Sequence, residues 1–172
     1  MATRTRPRID EGDVLAGAGG RPILLSTLGA PFDEAASAFA VDSAVEAGRP
    51  LIVANVTVLE PLAMSVILGY DALEEFTPEV SDSVRRPAEL ARSLGIAVER
   101  LRVRSPRPIE ALVQLAVERR PGVVVFGSDR SALTPRGYRR AVLALREGAG
   151  CPVWIPPAPR RDMGTLHIRG GF

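Results

Sequence analysis

Lysine is missing from this chain. All 22 basic side chains among its 172 residues are arginine. Schiff-base chemistry and Walker-type phosphate loops, both of which need a lysine amine, are therefore excluded. Histidine occurs once, as His167 near the C-terminus, which excludes a histidine-based triad in the body of the chain. Cysteine also occurs once, as Cys151, so there is no disulfide framework and no cysteine cluster for a metal. Aromatic residues make up only 5% and no nucleic-acid-binding motif accompanies the arginines, so a nucleic-acid partner is not expected. The longest nearly apolar run, PLAMSVILGY at 61–70, is far shorter than the roughly 20 residues that cross a bilayer. The N-terminal MATRTRPRIDEG has no apolar core of the kind a secretory signal needs. These absences lead to the expectation of a cytoplasmic protein with no metal and no membrane partner.

What is present is ordinary for one globular core: 46% hydrophobic and 24% charged residues. Charge is divided unevenly. Residues 1–99 carry 8 arginines against 15 acids, a net of −7, and residues 100–172 carry 14 against 5, a net of +9. The two halves sum to +2 and suggest complementary faces, within one molecule or across a dimer.

The chain alternates strands and helices. Residues 1–20 read as a flexible arm; their Gly17-Ala18-Gly19-Gly20 precedes a strand instead of following one, so it is no dinucleotide fingerprint. PILLSTL (22–28) reads as the first strand, with a turn at Gly29-Ala30-Pro31. Asp33 is placed to cap an alanine-rich helix that Gly48 ends. LIVANVTV (51–58) is apolar enough for a central strand, and the Asn55-Val56-Thr57 sequon inside it reads as chance. Residues 60–80 are irregular, fitting a short helix or a flap. A second helix is expected over about 83–94, with Pro87 in its first turn and Gly95 as its cap. A third strand follows over 96–103. Ile109, Leu112, Val113 and Ala116 form an amphipathic stripe after Pro108, and a turn is expected at Pro121-Gly122. A fourth helix is expected over about 136–147, with Tyr138, Ala141, Val142 and Leu145 inward. The last strand spans 152–155, and a Pro- and Arg-rich tail runs over 157–172. Such alternation predicts βαβ units and a parallel sheet, which organises residues 21–156 as one α/β domain.

The richest segment is PGVVVFGSDRSALTPRGYRRAVLALREGAGCPVWIPP (121–157). It reads as strand, Gly-Ser turn, basic helix and strand. Free backbone N–H groups beside a helix start are a ready phosphate seat, yet this loop is poor in glycine and rich in arginine. Ligands of open parallel sheets bind beyond the carboxyl ends of the strands. The candidate anion or nucleotide crevice therefore comprises Thr27 and Gly29 after strand one, Val56 in strand two, Gly127 and Ser128 after strand four, and Arg130, Arg139 and Arg140 beyond it. Ser26-Thr27-Leu28-Gly29 also matches a flavodoxin phosphate loop in part, though small residues at a strand end need no ligand to explain them. Asp129 and Arg130 read equally as a loop-stabilising pair, and Cys151 as a small buried hydrophobe. Trp154 reads as a core or an interface residue.

The order ILLSTLGAP, LIVANV, SPRPIEALVQLAVERR, GVVVFGSD and GCPVWI resembles the universal stress protein family over residues 21–156. The resemblance implies a three-layer sandwich of the adenine nucleotide alpha hydrolase-like kind, with a five-stranded parallel sheet of order 3-2-1-4-5. It also implies a homodimer paired through the last strand, here 152–155. ATP-binding members carry Gly-x-x-Gly, nine residues, then Gly-Ser or Gly-Thr. Gly127 matches the first glycine, but the second position is Arg130, and the later pair falls at Arg139 or Arg140 and Ala141. The family's adenine-contacting aspartate falls on Leu28. Added Cβ atoms would obstruct the close backbone approach that phosphates need, whereas added guanidinium groups could hold an anion by paired hydrogen bonds.

These residues imply a non-catalytic regulatory or interaction protein of universal-stress type, with an unidentified protein partner. It is expected to take no cofactor and not to bind ATP in the usual family mode. The alternative is a sensor of a nucleotide, ATP included, or of another phosphate-bearing ligand, through the remodelled arginine-rich loop.

Overall fold

The computed structural model describes residues 20–59 and 78–158. The expected arm before residue 20, the irregular stretch over 60–77 and the tail beyond 158 lie outside these residues, as does His167.

Five strands are formed: β1 (Ile23–Thr27), β2 (Leu51–Val58), β3 (Val98–Ser105), β4 (Val123–Phe126) and β5 (Val153–Trp154). They make one sheet of order β3-β2-β1-β4-β5, and every pairing is parallel. The central strand β1 matches Ile23 to Leu51 of β2 on one side and to Val123 of β4 on the other. Successive side chains of a strand point to opposite faces. Both faces of β1, β2 and β4 are apolar, so each must be covered by helices.

The helices are α1 (Glu34–Ala47), α2 (Pro78–Ser93), α3 (Pro108–Arg119) and α4 (Pro135–Gly148). Leu24, Ile52, Ala54, Val56, Val124 and Phe126 pack with Leu112, Leu115 and Ala116 of α3 and with Tyr138, Ala141, Val142 and Leu145 of α4. The opposite face sets Ile23, Leu25, Leu51, Val53 and Val125 against Ala36, Ala40, Val41 and Ala44 of α1 and Ala88 and Ala91 of α2. The expected three-layer α/β sandwich results. Alanines on the inner faces of α1 and α2 let those helices approach the sheet closely.

Local signals were kept in several places. Asp33 caps α1, its carboxylate accepting from the Ala36 N–H at 3.0 Å. Gly48, at φ 58°, ends that helix in the left-handed conformation that favours glycine. Other boundaries moved. Helix α2 begins at Pro78, so Pro87 lies inside it and not in the first turn. Strand β3 starts two residues later than expected, at Val98. The left-handed residue closing α3 is Arg120, at φ 47°, ahead of the Pro121-Gly122 turn. Helix α4 begins at Pro135, because Thr134 caps it by accepting from the Gly137 N–H at 3.1 Å. The pairing of β5 is confined to Val153 and Trp154.

Candidate functional site

Strand order reverses between β1 and β4, and their carboxyl ends meet at Thr27–Leu28 and Gly127–Ser128. Ser128 and Phe32 form an antiparallel bridge there. The Asp33 N–H donates to the Gly127 carbonyl at 2.8 Å, and the Asp129 N–H donates to the Pro31 carbonyl at 2.9 Å. The loop after β4 is thus stitched to the loop after β1.

The buried hydroxyls at this seam are used up internally. Thr27 Oγ1 donates to the Ala30 carbonyl at 2.7 Å. A hydroxyl has one proton, so the 3.1 Å contact between Thr27 and Ser128 is donated by Ser128. Ser128 Oγ in turn accepts the Leu28 N–H at 3.0 Å. Thr27 and Ser128 are both wholly buried. Next to them, Asn55 Oδ1 accepts the Gly29 N–H at 3.0 Å. Gly29 adopts φ 64°, the conformation that favours glycine there. Asn55 is a site residue that sequence reasoning missed; its signal was a lone amide inside an otherwise apolar strand.

Gly127 serves packing. A Cβ there would meet Ala36 Cβ, Leu25 Cδ1 and Phe32 Cδ1, each at 3.0 Å. Its lack of a side chain lets β4 pass beneath α1. Val56 is fully buried in the core on the α3 and α4 face, and Leu28, where the resemblance places an aspartate, packs at the margin of that same core.

Arg130 begins a short 3₁₀ turn, Arg130–Ala132, after β4. Asp129 caps this turn, accepting from the Ser131 N–H and the Ser131 hydroxyl, both at 2.8 Å. The anticipated Asp129–Arg130 pair is replaced by this cap. The Arg130 guanidinium instead lies over the Tyr138 ring, 4.8 Å from its centroid, and Nη2 donates to the Pro156 carbonyl at 2.9 Å. Arg139 is exposed and turns back to the Pro135 carbonyl at 3.4 Å. Arg140 is exposed on α4.

The eight candidates therefore do not come together in one site. Thr27, Gly29, Val56, Gly127 and Ser128 belong to the β1–β4 seam and its surroundings, while Arg130 and Arg139 line a groove between α4 and the end of β5. Arg140 lies outside that lining. Among the described residues no three His, Cys, Asp or Glu side chains gather as a metal site. None of the described helices is long and apolar enough to cross a membrane.

A parallel sheet of this order, with strand order reversing between β1 and β4, defines a doubly wound α/β protein. The sequence profile of the universal stress protein family matches residues 20–155, and the chain belongs to that family. Solved structures share the fold at low identity. A universal stress protein from Archaeoglobus fulgidus in complex with dAMP is 21% identical with a TM-score of 0.53, covering 79% of this chain and 97% of its own. One from Lactobacillus plantarum is 14% identical with a TM-score of 0.53, covering 80% and 98%. One in complex with cAMP is 18% identical with a TM-score of 0.51, covering 79% and 96%. No curated protein matches the sequence.

Proposed function

We propose that this chain is a non-catalytic, cytoplasmic regulatory or interaction protein of universal-stress type that does not bind ATP in the family's usual mode. The observation that carries the reading is the disposition of Arg130. It stands where the resemblance puts the second glycine of the ATP motif, and its half-buried guanidinium is engaged with Pro156 and Tyr138. The seam beside it supports the same reading, because its hydroxyls are hydrogen-bonded to one another and to backbone.

Heat-denaturing the purified protein and chromatographing the released small molecules tests this reading. The expected result is no stoichiometric nucleotide, and no calorimetric signal at millimolar ATP. Co-purified ATP or AMP at one per chain overturns it.

A homodimer through residues 152–155 belongs to the same proposal. Among the described residues β5 pairs only with β4, which leaves an outer backbone edge of the kind that adds a strand from a second copy. Light scattering well above micromolar concentration should give twice the chain mass; a monomer refutes the pairing.

A second reading is a sensor of a nucleotide or another phosphate-bearing ligand. It is favoured by the exposed guanidinium groups of Arg139 and Arg140 on α4 and by the nucleotides held in two of the structural relatives. It requires an ATP or phosphate titration signal that Arg139→Met and Arg140→Met abolish together.

A further inference from the structure

The groove between α4 and the end of β5 encloses about 450 Å³. On α4, Arg139, Val142, Leu143 and Arg146 follow at helical spacing, so one flank of the helix forms one wall. Ile155 and Arg130 lie opposite, with Tyr138 also in the lining. Three arginines and three aliphatic residues therefore line it, and among the described residues no carboxylate does. Leu143 is 57% exposed, a large apolar group held in water beside cations.

A second observation points to a ligand. Tyr138 is only 7% exposed, and among the described residues its buried hydroxyl and the buried Arg130 Nε have no hydrogen-bond partner. Buried polar groups are nearly always paired, and these two lie together, the guanidinium resting on the phenol ring. Each lacks an acceptor that a ligand could supply. A carboxylate fits the pair because its two oxygens match the planar fork of arginine and can also accept from a phenol. A free phosphate fits less well. It brings no apolar surface for Val142, Leu143 and Ile155, and its higher charge is costlier to desolvate against them.

We infer that the α4–β5 groove binds a small amphipathic carboxylate, its head on Arg130 and Tyr138 and its hydrocarbon body along Val142, Leu143 and Ile155. The inference differs from the nucleotide reading, which it meets only at Arg139, because its head group sits on Arg130 and Tyr138. Arg139 and Arg146 form the cationic rim that draws the anion in.

Calorimetric titration of the full chain with hexanoate, octanoate and decanoate, all below micelle formation, tests the inference. Octanol and octyl phosphate serve as parallel arms. Saturable one-to-one binding is expected, tightening about fourfold for each added methylene that is buried, with octanol and octyl phosphate both weaker than octanoate. Tyr138→Phe should weaken octanoate about tenfold without lowering the urea midpoint of the ligand-free protein, because the hydroxyl it removes has no partner. Arg146→Met, on the exposed rim, should also weaken octanoate and keeps the test independent of any folding defect in Arg130 variants. The inference is overturned if octanol binds as well as octanoate, if octyl phosphate binds better, or if Tyr138→Phe leaves the affinity unchanged. It is also overturned if no carboxylate binds and Leu143→Asp turns a dimer into a monomer, which would make the groove an interface between copies.

Discussion

The hydroxyls of Thr27 and Ser128, 101 positions apart in the chain, lie 3.1 Å from each other across the carboxyl ends of β1 and β4. Their contact is one link in a chain running from the Leu28 N–H through Ser128 and Thr27 to the Ala30 carbonyl. The carboxyl ends of β1 and β4 are thus where this protein ties its two half-sheets together.

Ser128→Ala should therefore destabilise the fold. It strips the Leu28 N–H of its acceptor and leaves Thr27 without its donor, a loss of about 1–3 kcal/mol. A urea titration should show a lower midpoint with an unchanged slope. A midpoint equal to that of the natural protein would mean that the seam is wet and open instead of closed on itself.

Gly127→Ala should also destabilise, for a steric reason. The new methyl would press on Ala36, Leu25 and Phe32 at 3.0 Å, and overpacking of this kind costs about 1–3 kcal/mol. Gly148→Ala is the control on the other face, where the added Cβ would fall 2.5 Å from Val113 Cγ1 between α4 and α3. Both should lower the thermal midpoint, and neither should alter any anion titration at the α4–β5 groove.

Glu99 and Arg119 form a forked ion pair, with contacts of 3.0 and 3.1 Å, that fastens the start of β3 to the end of α3. The Glu99 side chain is 4% exposed and Arg119 is 37% exposed. Arg119→Met should cost about 2 kcal/mol, because it abandons a buried carboxylate; the partial solvation of Arg119 keeps the loss below that of a fully buried pair. Adding Glu99→Gln should recover part of it in a double-mutant cycle. A double variant no more stable than Arg119→Met alone would contradict this account.

Burial raises the pKa of the Cys151 thiol, against smaller lowering effects from a hydrogen bond with the Val124 backbone and the charge of Arg21. The folded state holds the proton more tightly than the unfolded chain does. The associated stability is thus fully present below the thiol's ordinary pKa and is lost as pH rises through the folded value. Alkylation at mildly alkaline pH should be slower in the folded protein than in urea. Cys151→Ala should flatten the alkaline decline in stability. Equal alkylation rates in the two states would contradict the assignment.

Trp154 stacks on Phe39 with ring centroids 4.2 Å apart and planes within 5°. It is the only tryptophan, so its emission reports whether β5 is docked against α1. Phe39→Leu should shift that emission and cost about 1 kcal/mol. An unchanged spectrum would place the indole elsewhere.

The legible parts of the molecule were those governed by short-range rules. Strand β2 matches its predicted limits of 51 and 58 because a continuous apolar run has one stable use in a parallel sheet. Asp33 and Gly48 announce α1 by local hydrogen bonding and by a left-handed turn. The later start of β3 was hidden because its register is set by partners in β2, with Leu51 opposite Val98, and no window of sequence contains both strands. The interior position of Pro87 was hidden for a similar reason, since Pro87 is buried and the neighbouring Ala88 and Ala91 pack in one core with α1.

The fate of the candidate residues divides along the same line. The sequence alone determined that the chain holds no lysine, that its one histidine lies at position 167, that strands and helices alternate, and that an arginine stands three residues after Gly127. Only the tertiary structure decided where those arginines go. Arg130 turns toward Pro156 and Tyr138 while Gly127 and Ser128 close over β1. Composition and spacing fix which groups exist and their order, but the direction of a side chain after a strand depends on packing and hydrogen bonds from distant segments. Those contacts form only when β5 and α4 come to rest beside β4.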